Sequence, residues 1–300
     1  MPTRISTGSL LAVRTIIKVV TLSLSLTMAH AMAYEFKCVH EIDIAPQLDK
    51  EADGWFQQAR KISKERLPDW VRVAQLYQQA VDKEHWKAMH NLAELYLRGK
   101  GVPKDTNKAI DLYQKMVDLN VPLGYYDMGV MVQRGVGVVQ SDKEAMLFLI
   151  KAADLGSPHA QTRIGYVYTY DKHQDATGLN YLKCAARQDF ADANYKLACY
   201  NKNIDANYPV AMHYYQRAAA LGEPKAAMEI EDVFREGLFE YEVDVSLADD
   251  YRNIYRKLKA DSDFRFPNLA KDHPLPPHPI QGYHADKDIN WEPTGRADDY

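Results

Sequence analysis

The chain has 300 residues, 46% of them hydrophobic and 26% charged, with 37 basic against 41 acidic side chains. That is the composition of a folded globular chain. A formal charge of −4 without a basic stripe argues against nucleic acid and against anionic membrane surfaces as partners.

Residues 1–33 read as a signal peptide. Arg4, Arg14 and Lys18 form a basic region, Val19 to Met28 a short apolar run, and Ala31-Met32-Ala33 a small-residue cleavage site. An apolar run of roughly ten residues is too short to stay in a bilayer as a spanning helix. The expected mature chain therefore begins near Tyr34, is exported to the periplasm, and keeps no integral membrane segment. Losing those three basic residues moves the formal charge from −4 to −7. Such a balance suits a basic protein partner, and equally an ordinary soluble surface.

Residues 34–86 are expected to form an N-terminal cap and a degenerate first repeat. In EADGWFQQARKIS the apolar spacing is imperfect, and the end unit of a stack needs a polar outer side. Trp55, Trp70 and Trp86 are read as core or cap-sealing side chains.

From Lys87 to residue 260 the chain repeats. A small residue recurs at Ala52, Ala88, Gly124, Ala160, Ala193 and Ala226, in steps of 36, 36, 36, 33 and 33. A second register runs through Val73, Ala109, Ala145, Gly178, Ala211 and Ala248. Seven residues beyond each come Ala80, Met116, Ala152, Ala185, Ala218 and Tyr255. Four residues before the second register stand Asp69, Asp105, Ser141, Gln174, Asn207 and Asp244, five of which have good N-cap side chains. Pro122, Pro158 and Pro224 suit opening turns, with Gly156 and Gly222 closing the helices before two of them. The pattern predicts an all-α, right-handed solenoid of about five to six stacked helical hairpins.

The run LAELYLRGKGVPKDTNKAIDLYQKMVDLN, echoed as MGVMVQRGVGVVQSDKEAMLFLIKAADLG and in part as AMHYYQRAAALG, resembles the Sel-one-like repeat, a relative of the tetratricopeptide repeat. The likeness covers roughly 50–260, although the third and fourth units lose three residues and the Gly-x-Gly-Val loop. It implies a binding scaffold and names no ligand.

Within each first helix the fourth and eighth positions from the marker are read as core: Leu92/Tyr96, Met128/Val132, Ile164/Tyr168 and Leu197/Asn201. The third, sixth and tenth positions make the opposite face. They are Asn91/Glu94/Arg98, Asp127/Val130/Arg134, Arg163/Tyr166/Tyr170 and Lys196/Cys199/Asn203. This face is expected to line the concave surface and to bind protein, with Asn91, Glu94, Arg98, Asp127, Arg134, Arg163, Tyr166 and Tyr170 as candidate contacts. On that reading Leu92→Ala is costly, while Glu94→Ala costs under about 0.5 kcal/mol as a surface change.

Cys184 and Cys199 lie on successive helices, and an exported chain permits a disulfide between them; Cys38 is then left as a free thiol. The cysteine-rich relatives of the repeat family carry a cysteine pair in every unit, which this chain lacks, and that weakens any transfer of their penicillin-binding behaviour. Residues 261–300 form a Pro-rich, extended tail whose Phe264, Phe266, Leu269, Leu275 and Trp291 are expected to pack back on the last helices. His273, His278 and His284 have no metal-ligand spacing, so neither metal nor cofactor is expected. Pro274-Leu275-Pro276-Pro277 adds a second resemblance, to exported repeat proteins that serve as immunity proteins beside type VI secretion effectors, several of them lipases or phospholipases.

No nucleophile elbow, phosphate loop or zinc-protease motif occurs, and the Gly-x-Gly pairs follow helices rather than strands. A non-enzymatic immunity protein that neutralises a secreted toxic effector is the leading reading. An exported adaptor for envelope or secretion components, and an enzyme acting on peptidoglycan or β-lactams, are the alternatives.

Overall fold

The computed structural model of the protein describes residues 36–171 and 175–279. The leader, Gln174, His284 and Trp291 therefore lie outside the described residues. Every regular element among the described residues is helical. The chain divides after Ala160 into two compact units.

The first unit holds α1 (Glu41–Ile44), α2 (Lys50–Ser63), α3 (Trp70–Val81), α4 (Trp86–Arg98), α5 (Thr106–Asp118), α6 (Pro122–Arg134) and α7 (Asp142–Asp154). From α2 onward each helix packs on its successor. Trp86 is buried and its Nε1 donates to the Pro46 carbonyl at 3.2 Å. Trp55 and Trp70 are half-buried under the ammonium groups of Lys83 and Lys100.

The second unit holds most of α8 (Pro158–Tyr166), a π-helical turn (Val167–Asp171), α9 (Asp175–Arg187), α10 (Ala191–Asn203), α11 (Tyr208–Ala220), α12 (Pro224–Glu236), α13 (Val245–Ala260) and the short α14 (Leu269–Asp272). Consecutive packing runs from α9 to α13, and α14 rests on α11. Phe264, Phe266, Leu269 and Leu275 join the apolar cluster of this unit. The Phe266 amide donates to the Ala220 carbonyl at 2.9 Å, and Gln216 Nε2 donates to the His273 carbonyl at 2.8 Å. Two of the tail histidines are engaged: His273 Nδ1 lies 3.1 Å from Asp250, and His278 Nε2 lies 3.1 Å from the Phe239 carbonyl.

Both sequence registers are buried. Ala52, Ala88, Gly124, Ala160, Ala193 and Ala226 are closed off from solvent, as are Val73, Ala109, Ala145, Gly178, Ala211 and Ala248. Around these small contacts pack the large side chains, Phe56, Tyr113 and Phe148 in the first unit and Tyr215, Phe234 and Tyr251 in the second. Each contributes on the order of 1.5–3 kcal/mol by burial. Of the seventh-residue positions, only Tyr255 is half-buried.

The predicted caps form. Asp69, Asp105, Ser141, Asn207 and Asp244 each accept from the backbone amide three residues on. Every hairpin-to-hairpin connection then turns through one left-handed residue. These are Glu84, Asn120, Gly156, Asp189 and Gly222, with φ between 56° and 104°. They follow the same steps as the small-residue registers.

The third repeat departs from the others. Where α4 and α6 end in a glycine loop, α8 runs into the π-helical turn, in which Thr169 is buried. A Cβ on Gly178 would meet Thr169 Oγ1 at 2.0 Å and the Gly165 carbonyl at 2.7 Å. Gly178 therefore stands where the other repeats carry alanine or valine because the turn closes directly on α9.

The cysteines correct the sequence expectation. Cys38 and Cys184 are disulfide-bonded, and Cys199 is free. The Cys199 thiol lies 3.7 Å from the Tyr215 hydroxyl on α11, the side chain it packs against in its own repeat. Among the described residues no helix is long and apolar enough to cross a membrane.

Two substitutions test this packing. Leu92→Ala, at a core position, should cost about 2–5 kcal/mol in denaturant melts. Gly178→Ala should cost about 1–3 kcal/mol by overpacking, even though alanine occupies this position in most other repeats. A neutral Gly178→Ala variant would show that the π turn yields freely.

Candidate protein-binding surface

The face predicted from the first helices is not uniformly exposed. In the first unit it grades from buried to open along each helix. Asn91 and Glu94 are half-buried and Arg98 is exposed on α4; Asp127 is buried and Arg134 exposed on α6. In the second unit Arg163 and Tyr170 are half-buried and Tyr166 is 40% exposed. In the first unit the third position of each helix sits beside the seam between helices, whereas the tenth, Arg98 or Arg134, stands exposed at the helix end.

The inner members of the face have structural partners. Asn91 Nδ2 donates to the Tyr77 hydroxyl at 3.2 Å. The Tyr113 hydroxyl donates to Glu94 Oε1 at 3.1 Å, and Arg98 donates to the other oxygen of Glu94 at 2.7 Å and 3.1 Å. Tyr77 and Tyr113 occupy equivalent places in their repeats, four residues after the second-register marker. Their rings belong to the core, so each hydroxyl must find a partner, and the nearest polar side chain on a first helix supplies it. Glu94 is thus partly an internal acceptor, contrary to its reading as a plain surface residue.

Asp127 corrects the sequence reading more strongly. It is 7% exposed and its Oδ2 lies 2.7 Å from His90 Nδ1, across the α4–α6 neighbourhood. Burial raises the Asp127 carboxyl, and His90 partly opposes that rise. Burial alone would lower His90, but the Asp127 carboxylate and its hydrogen bond outweigh this, so His90 is raised above its ordinary value of 6.5. Nearby, burial pushes the Glu41 carboxyl up to about 8, and burial drives the His159 imidazole down to about 3. Two carboxyls and two imidazoles thus share one enclosed region of the first unit.

In the second unit the Tyr166 and Tyr170 rings stack at 4.7 Å between centroids. The Lys196 ammonium from α10 lies 5.0 Å from the centre of the Tyr166 ring and 5.9 Å from that of Tyr195. Burial, then nearby Cys199 and Tyr166, push the Tyr170 phenol up to about 12, so it remains a hydrogen-bond donor at neutral pH. Sequence spacing places Lys196 on this face but gives no sign that it joins two aromatic rings. Tyr166 ends α8 and Tyr170 lies in the π turn that follows, where α4 and α6 end in a glycine loop.

These features describe a class. The chain is a scaffold of capped helical hairpins whose polar faces are partly spent on holding the stack and partly open, with Arg98, Arg134 and Tyr166 the outward side chains of the candidate set. The Sel1 repeat model matches residues 86–121, 122–157, 158–190 and 191–223. Among solved structures, the chain is similar to immunity protein Pa5087 from Pseudomonas aeruginosa, with 43% identity, a TM-score of 0.73, and coverage of 86% of this chain and 100% of that one. It is similar to immunity protein PA5088 from the same bacterium, with 48% identity, a TM-score of 0.75, and coverage of 84% and 98%. Pseudomonas aeruginosa 5086 matches at 46% identity and a TM-score of 0.73, over 85% and 100%. A comparison with curated protein sequences gave no match. The chain belongs to the Sel1 repeat family, in the branch that holds these immunity proteins.

Glu94→Ala should cost about 1–3 kcal/mol, because it strips the buried Tyr113 hydroxyl of its acceptor. Paired with Tyr113→Phe in a double-mutant cycle, most of that loss should disappear; additive losses would assign Glu94 a different role.

The His90–Asp127 pair makes stability pH-dependent. A histidine raised in the folded state stabilises fully below its unfolded value of 6.5 and loses that contribution as pH rises through its folded value. Asp127→Asn should therefore cost about 3 kcal/mol near pH 6 and clearly less near pH 9. Equal losses at both pH values, in thermal melts, would mean that His90 is not charged in the folded protein.

Proposed function

We propose that the chain is an immunity protein of the periplasm, binding and neutralising a toxic type VI secretion effector through the open face of its first helices. The observation that carries this reading is the 43% and 48% identity to two immunity proteins along essentially their whole length. The exposed Arg98 and Arg134 and the Tyr166–Tyr170 stack are the residue types that dominate protein interfaces. Arg163, half-buried beside Tyr166 on the same face, belongs to this contact set.

The periplasmic location rests on the leader pattern and on disulfide-bonded Cys38 and Cys184, a pairing that an oxidising compartment sustains. The Pro274-Leu275-Pro276-Pro277 segment supports a lipase or phospholipase as the effector, by its likeness to immunity proteins of that setting. Inhibition then works by steric cover of the effector, with no chemistry supplied by this chain.

Competition between sibling strains tests the reading even while the effector is unidentified. A recipient lacking this gene should be depleted beside its wild-type parent and rescued by a plasmid copy. A plasmid copy without residues 1–33 should fail to rescue. Survival of the null recipient would contradict the immunity function, and rescue by the leaderless copy would contradict periplasmic action.

A further inference from the structure

The patch around Lys196 has an unusual balance of hydrogen-bonding groups. Its ammonium rests on the Tyr166 and Tyr195 rings at 5.0 and 5.9 Å. Asp192 lies one helical turn before it on α10, in the arrangement that commonly forms an ion pair. Yet among the described residues no carboxylate reaches the Lys196 nitrogen, although Lys202 further along the helix does pair, with Glu229 at 2.8 Å. The Tyr166 and Tyr170 hydroxyls likewise have no hydrogen-bond partner among the described residues. Among the described residues, a cation and two phenol donors therefore flank one aromatic stack without an acceptor of their own. Tyr166 is 40% exposed, and Tyr170 and Lys196 beside it are half-buried.

From this geometry we infer that the second unit carries a carboxylate-receiving pocket for the effector: an acidic side chain of the partner protein docks on Lys196, with the carbon stem beside it lying on the Tyr166–Tyr170 stack. This inference rests on the immunity reading above and supplies the partner chemistry that reading leaves open. Charge complementarity favours an anionic group, since Lys196 is a cation with no counter-charge among the described residues, and the hydroxyls are donors. The flat flank favours a side chain with a hydrocarbon stem over a bare inorganic anion. Holding the ammonium against two rings fixes it in place before binding, which lowers the ordering cost of the contact. It also explains the local departure from the repeat. A π turn in a helix is a common functional adaptation, and here Tyr170, within the turn, stacks on the Tyr166 ring that Lys196 covers.

The test uses the effector defined genetically, as the secreted protein whose deletion from the attacking strain abolishes killing of the null recipient. Purified full-length mature protein and its variants are titrated with that effector by calorimetry. Lys196→Glu should weaken binding at least about 100-fold, and Lys196→Met, which keeps the stem on the rings, about tenfold. Lys196→Arg should stay within about threefold of wild type, because the charge and the ring contact survive. The wild-type affinity should fall with added salt more steeply than that of Lys196→Met. Melting curves of all three variants should match wild type, so that a lost affinity is not a lost fold. Binding of Lys196→Glu within about twofold of wild type overturns the pocket while leaving the immunity function intact. If the null recipient is not killed at all, the immunity reading fails and this inference falls with it.

Discussion

Two helices can seal their apolar faces against each other only if their backbones come close, and in this protein that approach is set by one small residue per helix. Ala88 and Ala109 within one repeat, and Ala193 and Ala211 within another, are wholly buried at these contacts. At Gly124 the approach leaves no room for a side chain, because an added Cβ would lie 2.5 Å from Met116 Cβ and 2.9 Å from the backbone of α5. Close approach brings the large side chains of neighbouring helices into one layer, and those side chains carry most of the burial energy. The caps, the left-handed connections and the polar seams serve to hold the helices at that separation.

The polar seams commit part of the first-helix face to stability. A tyrosine ring is large enough to fill the space between helices, but its hydroxyl must be satisfied wherever it ends. Tyr77 and Tyr113 end at the edge of the core, where Asn91 and Glu94 meet them. Arg98 then neutralises Glu94 from outside. The result is a graded surface: residues near the seam are committed to the fold, and those at the helix ends stay open. Glu94 and Asp127 belong mainly to the first group, whereas Arg134 and Tyr166 belong to the second.

Much of this is legible in the sequence, for definite physical reasons. Small residues at fixed spacing and side chains able to cap a helix leave clear marks, and Asp69, Asp105, Ser141, Asn207 and Asp244 cap as their identities predict. The left-handed connections are legible only at Gly156 and Gly222. Glu84, Asn120 and Asp189 adopt the same conformation without glycine, and their side chains do not announce it. Helical periodicity identifies the polar face but not its depth, because depth depends on which tyrosine stands opposite. The π turn is also out of reach: the loss of three residues signals a changed loop, not a widened helix. The Cys184–Cys199 pairing fails because adjacency of helices in sequence does not bring two thiols face to face.

Units that keep the glycine loop present arginines at their helix ends. The third repeat, whose first helix runs into the π turn, presents an aromatic stack with the Lys196 ammonium on it. Hydrogen–deuterium exchange of the mature protein, alone and with its effector, tests this account most directly. The account predicts that slowed exchange on binding concentrates in the segments around Tyr166–Asp171 and Lys196–Asn203, with α9 and α11 little changed. Protection confined to the second helices of the hairpins, or absent around Tyr166, would contradict it.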